Sequence, residues 1–371
     1  MHGGPNLLLS TIRQRFWPLR GRELARSIVH RCVTCVRARP RSMEQLMGDL
    51  PPVRVNKAFP FENVGVDFAG PVFLKPPSRK AAPLKAYVAV YVCLAVKAVH
   101  LDLVPDMTTN GFIASLHRFT GRRGKPSMIY CDNGRNFVGA HRELNELRNL
   151  FLTQRHKDVV ANETTSNGIL FRFIAPRSPS LGGIWEAAVK SMKLHLRRIM
   201  GNAMLTETEF TTALIQVESI LNSRPITPMS EDPQDLQPLT PGHFLVGKPL
   251  NAIPEPDLSE IPESRLSRWQ RVQSLIQHFW KRWHHEYLNT LENRYRWTEK
   301  TSNLVQNAIV LLREENLPPQ KWAIGRVVDV QPGVDGLVRL VSVRTSSGIT
   351  QRAVNKLCLL PVEVDSSLLI Q

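Results

Sequence analysis

The run AYVAVYVCLAV, Ala86–Val96, contains no charged side chain. It is about half the length that a bilayer span requires. Its valines and tyrosines favour an extended chain, so the segment reads as a strand buried on both faces, which needs cover from two layers. Its neighbours agree with an α/β unit running from Phe61 to about Gly247. In NVGVDFAGP (Asn63–Pro71), Val64, Val66 and Phe68 alternate onto one face, and Gly70-Pro71 closes the strand. VKAVHLDLV (Val96–Val104) is the expected hairpin partner of the long run, and Thr108–Arg118 the expected helix after it. SMIYCDNG (Ser127–Gly134) reads as a short strand stopped by an Asp-Asn-Gly turn. ILFRFIAP (Ile169–Pro176) is a further strand, followed by a helix from about Ile184 to Met200. Another helix starts with the capping box Thr206-x-x-Glu209 and ends near Asn222.

The flanks differ in character. Before the α/β unit, Leu8, Leu9, Ile12 and Phe16, then Leu24, Ile28 and Val29, fall at helical spacing and predict two short helices leading to CVTC at Cys32–Cys35. A proline-marked linker, Asp49–Pro60, follows. Beyond the unit, the proline-rich Ser223–Pro256 reads as an extended linker. Trp269, Val272, Ile276, Trp280 and Trp283 then mark one face of a helix reaching about Arg294. The tail turns to strands at Ala308–Leu312, Trp322–Val330, Gly336–Thr345 and Ile349–Leu360, joined by PGVDG and SSG turns, the pattern of a small SH3-like or OB-like barrel.

The chain carries 48 Lys and Arg against 32 Asp and Glu, a formal charge of +16 and a pI near 10. Residues 1–41 hold nine arginines against one acid, Glu23, a net of +8. Such a balance makes a polyanion the expected partner. Five sparse cysteines argue against a disulfide scaffold and for a reducing compartment. No signal peptide and no membrane span are expected.

Three acids stand on elements from which a metal site can be built. Asp67 lies within the first strand, Asp132 at the mouth of a later strand, and Glu186 on the first turn of the helix that follows. Carboxylates converging from strand ends and a helix suit Mg²⁺ or Mn²⁺. Two such ions about 4 Å apart activate an attacking hydroxyl and hold the leaving oxygen of a phosphodiester. Each acid also has a plainer reading: turn chemistry for Asp132, compensation of the helix dipole for Glu186. Asp67, flanked by Val66 and Phe68, is the hardest to read that way, because an acid in mid-strand needs a partner or a ligand. On the helix, Glu186, Lys190, Lys193 and Arg197 form one stripe and Val189, Met192, Leu196 and Ile199 another. The charged stripe reads as a nucleic-acid contact, with a solvated Glu-Lys face as the plainer alternative.

The blocks VGVDFAGP, YCDNGRNF and SPSLGGIWEAAVKSMK resemble the three motifs of a retrotransposon integrase core, the DDE family with a ribonuclease H-like fold, and most of all the BEL/Pao LTR type. HRCVTC, NSRP (Asn222–Pro225), LTPGHFL (Leu239–Leu245), HFWKRWHHEYL and WAIGRVVDVQPGVDGLVRLVSVRT extend the resemblance over nearly the whole chain. It implies Asp67, Asp132 and Glu186 as the catalytic triad holding two Mg²⁺ or Mn²⁺ ions, with Lys190, Lys193 and Arg197 against DNA. It further implies a zinc site with two His and two Cys. Cys32, Cys35 and His2 fit, while the first His would precede Met1, so the zinc domain is expected to be truncated. His30 is a strained candidate for the fourth ligand, and a pair of reduced thiols is the alternative. The separation of Asp132 from Glu186 leaves 53 residues between them, more than in the retroviral enzymes. The polar stretch 142–167 accounts for the excess as a surface insertion.

The expected organisation is a helical zinc-binding remnant over 1–48, a ribonuclease H-like core over 57–247, a linker and Trp-rich helix over 248–300, and an SH3-like DNA-binding barrel over 301–363. The implied function is DNA integration by a polynucleotidyl transferase, through 3′-end processing and strand transfer. A multimer on DNA, working in the nucleus after cytoplasmic transit, goes with it. Two other readings stay open: a catalytically inactive, domesticated or decayed copy that binds nucleic acid, and a ribonuclease H-like nuclease. Cys93, Cys131 and Cys358 are expected in the core, and His284-His285 as surface or packing groups. The tryptophan stripe is expected to pack rather than stack on bases, and Arg326, Arg339, Arg344 and Arg352 to be available for phosphate.

Overall fold

A computed structural model describes residues 2–38, 50–131 except 77 and 79, 169–173, 204–291 except 231 and 233, and 303–360 except 315. The chain divides into two compact units, Met1–Pro51 and Pro52–Gln371. The first is helical: α1 (Pro5–Arg13), α2 (Gly21–Arg31) and α3 (Val33–Ala38). The third helix adds to the two that the sequence predicts and contains the last three residues of CVTC. Leu9 and Ala25 are buried between α1 and α2, and a Cβ at Gly21 would lie 2.9 Å from Leu9. Phe16, Leu24 and Ile28, three residues of the apolar pattern, are exposed.

The second unit is mixed α/β. Its first sheet contains β1 (Asn63–Leu74), β2 (Leu84–Cys93), β3 (Val99–Val104), β4 (Met128–Cys131) and β5 (Leu170–Phe173), in the order β3-β2-β1-β4-β5. The first three are antiparallel, and β4 and β5 run parallel to β1. β2 is covered on both faces, as its sequence requires. Val88, Val90 and Val92 enter one core with Phe210, Leu214, Val217 and Ile220 of α6 (Glu207–Asn222) and with Ile276, Phe279 and Trp280 of α8 (Arg268–Leu291). Tyr87, Ala89, Tyr91 and Cys93 enter the other, with Phe112, Leu116 and Phe119 of α5 (Thr109–Arg123).

The capping box forms as read: the Thr206 hydroxyl accepts from the Glu209 N–H at 3.3 Å, and the Glu209 carboxylate accepts from the Thr206 N–H at 2.8 Å. α6 also closes the free edge of the sheet. Asn222 both accepts from Val99 N–H (2.8 Å) and donates to Val99 C=O (2.7 Å), and Glu218 accepts from Leu101 N–H (2.8 Å). An edge strand with its outward amides satisfied by a helix cannot recruit another strand there.

Ser223–Pro256 is not simply extended. It contains the short hairpin β6 (Thr227–Pro228) and β7 (Pro238–Leu239), then α7 (Pro241–Val246). The pairing is short and the intervening chain long, so no tight-turn signal marks it in the sequence. LTPGHFL spans the end of β7 and most of α7, where the Thr240 N–H donates to His243 Nδ1 at 3.1 Å.

The tail forms a second sheet, β8 (Ile309–Leu312), β9 (Ile324–Pro332), β10 (Val338–Thr345), β11 (Gly348–Ala353) and β12 (Leu357–Leu359), antiparallel in the order β11-β10-β9-β8-β12. The single strand expected over Ile349–Leu360 is broken by a 3₁₀ turn at Val354–Lys356. The reason is topological: β11 and β12 lie on opposite edges, so the chain must cross between them. Gly325 is required by close packing, because a Cβ there would meet Val343 Cγ1 at 2.3 Å. Trp280 anchors α8 to the tail by donating to Leu317 C=O at 2.7 Å, with Trp322 edge-on to its ring at 5.0 Å. Among the described residues no helix is long and apolar enough to cross a membrane.

Candidate functional site

Asp67 sits in mid-β1 as the Cα partner of Val90, between Val66 and Phe68, which face the α5 core. By strand alternation its side chain shares the other face, that of Val90. It is half-buried, and its Oδ1 accepts from the Phe68 N–H at 2.7 Å. Parallel pairing sets Val64, Gly65 and Val66 against Ile129, Tyr130 and Cys131. Asp132 follows Cys131 directly in sequence. Asp132, Glu186, Lys190, Lys193 and Arg197 lie outside the described residues. The structure thus describes one of the three carboxylates and the strand that leads to the second.

In the first unit His2, Cys32 and Cys35 come together, their ligand atoms all within 4.8 Å of one another. His2 Nδ1 is 3.4 Å from Cys32 Sγ and 3.5 Å from Cys35 Sγ. Cys32 closes α2 and Cys35 lies in the first turn of α3, so the helix junction brings the two sulfurs of the CxxC pair together. The Cys35 backbone N–H, followed by weaker local hydrogen bonds, holds the Cys32 thiol below its ordinary value against partial desolvation. Partial desolvation and then the Cys32 sulfur push Cys35 up. Two thiolates and an imidazole are the donor chemistry of zinc, so these residues fit three of the four ligand positions of that ion. His30 is exposed and is not part of the group.

Several polar residues that the sequence left unassigned hold the core together. Glu218 is buried with His100 Nδ1 at 3.1 Å and Arg123 paired to its other oxygen. Burial pushes its carboxyl up, but His100, the Leu101 N–H and Arg123 outweigh it, and the group ends below its usual range. Asp102, also buried, receives a two-pronged bond from Arg118, with Nη2 at 2.6 Å and Nε at 3.0 Å. Polar residues on a helix otherwise facing a core are the available signal for Glu218 and Asn222.

The terminal arginines divide. Arg326 is not available for phosphate: it is 6 % exposed and donates to the carbonyls of Asn307, Asp232 and Asp235 at 3.1, 2.8 and 3.2 Å. Arg339 pairs with Asp335 at 2.6 Å, and Arg352 lies 3.6 Å from Glu314. Arg344 is exposed. Cys93, Cys131 and Cys358 are buried, and His284 is buried against Trp280 and Trp322 while His285 is exposed.

Residues 267–360 match a protein family described as one of unknown function, DUF5641. That span covers α8 and the whole second sheet. No curated protein matches the chain. Among solved structures, the chain is similar to one from the simian T-cell lymphotropic virus intasome in complex with PP2A regulatory subunit B56 gamma. The identity is 14 % and the TM-score 0.38, over 98 % of this chain and 96 % of that one. It is also similar to the HTLV-2 integrase catalytic core domain in complex with magnesium. For the dimeric form the identity is 18 % and the TM-score 0.29, over 44 % of this chain and 88 % of that one. The trimeric form gives 18 % and 0.30, over 47 % and 93 %.

Proposed function

We propose that this chain is an integrase of the BEL/Pao retroelement type, a polynucleotidyl transferase that joins element DNA to target DNA. The observation that carries the reading is the pairing of β1 with β4. Asp67 stands one residue beyond Val66, Asp132 one residue beyond Cys131, and those two strand residues are Cα partners. The strand order β3-β2-β1-β4-β5, with three antiparallel strands and two parallel ones, agrees with a ribonuclease H-like core over 57–247. The β11-β10-β9-β8-β12 sheet, with its 3₁₀ turn before β12, agrees with an SH3-like barrel over 301–363. The net charge of +16 agrees with DNA as partner.

In this reading Asp67, Asp132 and Glu186 would hold Mg²⁺ or Mn²⁺, which supplies charge neutralisation at phosphorus and a more acidic nucleophile. Asp67 is fixed by its place in a five-stranded sheet covered on both faces, so the carboxylate needs little reorganisation to bind a cation. Lys190, Lys193 and Arg197 would grip the phosphates of the element end. His2, Cys32 and Cys35 would hold Zn²⁺ in the remnant over 1–48, which orders a small helical unit with few buried residues. Residues 248–300 would connect core and barrel. The protein would act as a multimer on DNA, in the nucleus.

The test is strand joining on short duplexes ending in the parent element's terminal sequence, with Mg²⁺ or Mn²⁺. Joined products that require the divalent ion support the reading. Salt-sensitive DNA binding without joining would replace it with a nucleic-acid-binding protein that has lost catalysis.

A further inference from the structure

The first unit, which ends at Pro51 before α4 (Pro52–Val55), presents two aromatic rings to solvent from the turn between α1 and α2. Phe16 is 70 % exposed and Trp17 75 %. The backbone that carries them is held at both ends. The Phe16 N–H donates to Ile12 C=O at 2.9 Å, continuing the last turn of α1, and the Gly21 N–H donates to Pro18 C=O at 3.2 Å at the start of α2. Pro18 packs against Gly21, where a Cβ would lie 2.8 Å from its Cγ. The Arg13 guanidinium stands over the Trp17 ring, 4.4 Å from its centroid. Arg15 and Arg20, in the same turn, are exposed.

The plainer account is a unit too small to bury every apolar group, since single exposed hydrophobics are ordinary. Two aromatic rings adjacent in the chain are a different case. Together they offer about 300–500 Å² of surface, the size at which an exposed patch marks a contact. Charge decides what covers it. Residues 1–41 hold nine arginines and one acid, so a second copy would bring two strongly positive surfaces together. A polyanion with flat apolar faces meets both features, its phosphates answering the arginines and its bases the rings. In a duplex those faces are buried in the stack, whereas a single strand leaves them open. Arg13 covers one face of Trp17 and leaves the other for a base, and the cation over the ring belongs to the same kind of platform.

We propose that Phe16 and Trp17, with Arg13, form a stacking site on the first unit for a single-stranded stretch of nucleic acid. It rests on nucleic acid as the partner in the proposed function and not on catalysis. The full chain, as wild type, Trp17→Leu and Trp17→Phe, is titrated at one salt concentration with oligo(dT) and oligo(rU) of about 12 nucleotides and with a duplex of the same length. Trp17→Leu keeps an apolar side chain and removes the ring, while Trp17→Phe keeps a ring. The expected result is a loss of about 5- to 150-fold for the single strand in Trp17→Leu, a smaller loss in Trp17→Phe, and unchanged duplex affinity in both. The oligomer that shows the greater loss identifies the strand as DNA or RNA. If Trp17→Leu lowers the thermal midpoint, Phe16→Leu carries the same test. Equal losses for single strand and duplex, or no loss, overturn the proposal. No loss, with a wild-type dimer that Trp17→Leu converts to monomer in sedimentation, assigns the patch to a second copy instead. Wild type that binds neither form overturns the site and removes nucleic acid as the partner. A loss confined to the single strand, without any strand joining, leaves the site standing and removes the catalytic reading.

Discussion

Val66 of β1 and Cys131 of β4 are Cα partners in a parallel ladder, so β4 ends level with the residue that precedes Asp67. A carboxylate in mid-β1 on a sheet covered on both faces is unfavourable for the fold unless it is paired or liganded. Asp67→Asn is expected to keep the far-UV circular dichroism and thermal midpoint of wild type. Strand joining should fall by at least about a hundredfold, since a metal contributes several kcal/mol to such a step. A loss of joining that merely tracks a lower midpoint would assign Asp67 a structural role.

Glu218 is the centre of the buried polar group that holds α6 on the edge of β3. Removing it strands Arg123 and the Leu101 N–H. Glu218→Ala is expected to cost about 3–5 kcal/mol in urea unfolding, the usual cost of breaking a buried pair. Asn222→Ala, which leaves the Val99 backbone unpaired without stranding a charge, is expected to cost about 1–3 kcal/mol.

Burial, followed by His285 and Arg313, lowers His284 from 6.5 to about 4. The unfolded chain takes up this proton near pH 6.5 and the folded chain only near pH 4. Stability is therefore expected to fall as pH drops through that window and to be level above it. Unfolding measured from pH 8 to pH 4 should show this fall in wild type, and a smaller one in His284→Phe. Equal slopes in both proteins would place the proton elsewhere.

His2, Cys32 and Cys35 are expected to bind one Zn²⁺ per chain, displaced by a chelator and lost in Cys32→Ser or Cys35→Ser. Zinc released by denaturant and quantified with a chromophoric chelator gives the stoichiometry. Full occupancy retained in Cys32→Ser would refute the site.

Arg326 reaches from β9 to the carbonyls of Asp232 and Asp235, joining the second sheet to the segment before β7. Arg326→Met is expected to destabilise by about 1–3 kcal/mol because the hydrogen bonds from a buried guanidinium to three carbonyls are lost. The same change is expected to leave the salt slope of DNA binding unaltered, which distinguishes a structural arginine from a phosphate contact.

The sequence was most legible where one short period decided the outcome. Val88, Val90 and Val92 against Ala89, Tyr91 and Cys93 are two interleaved faces of one strand, and the Thr206/Glu209 box fixed the start of α6. It was least legible where partners are far apart in the chain. Glu218 and Asn222 looked like ordinary helix polars because their partners, His100, Leu101 and Val99, lie more than a hundred residues away. Arg326 read as a surface cation because carbonyl acceptors leave no trace in a sequence. Of the site itself, Asp67 could be placed because an acid in mid-strand, between Val66 and Phe68, needs a partner or a ligand. Asp132 and Glu186 rest on turn and helix-start chemistry that many proteins use without catalysis.

The central claim is tested most directly by strand joining with Mg²⁺ or Mn²⁺, comparing wild type with Asp132→Asn on duplexes carrying the parent element's terminal sequence. The account predicts joined products from wild type and none from the variant, with both proteins binding DNA equally well at matched salt. Joining that persists in Asp132→Asn would contradict it.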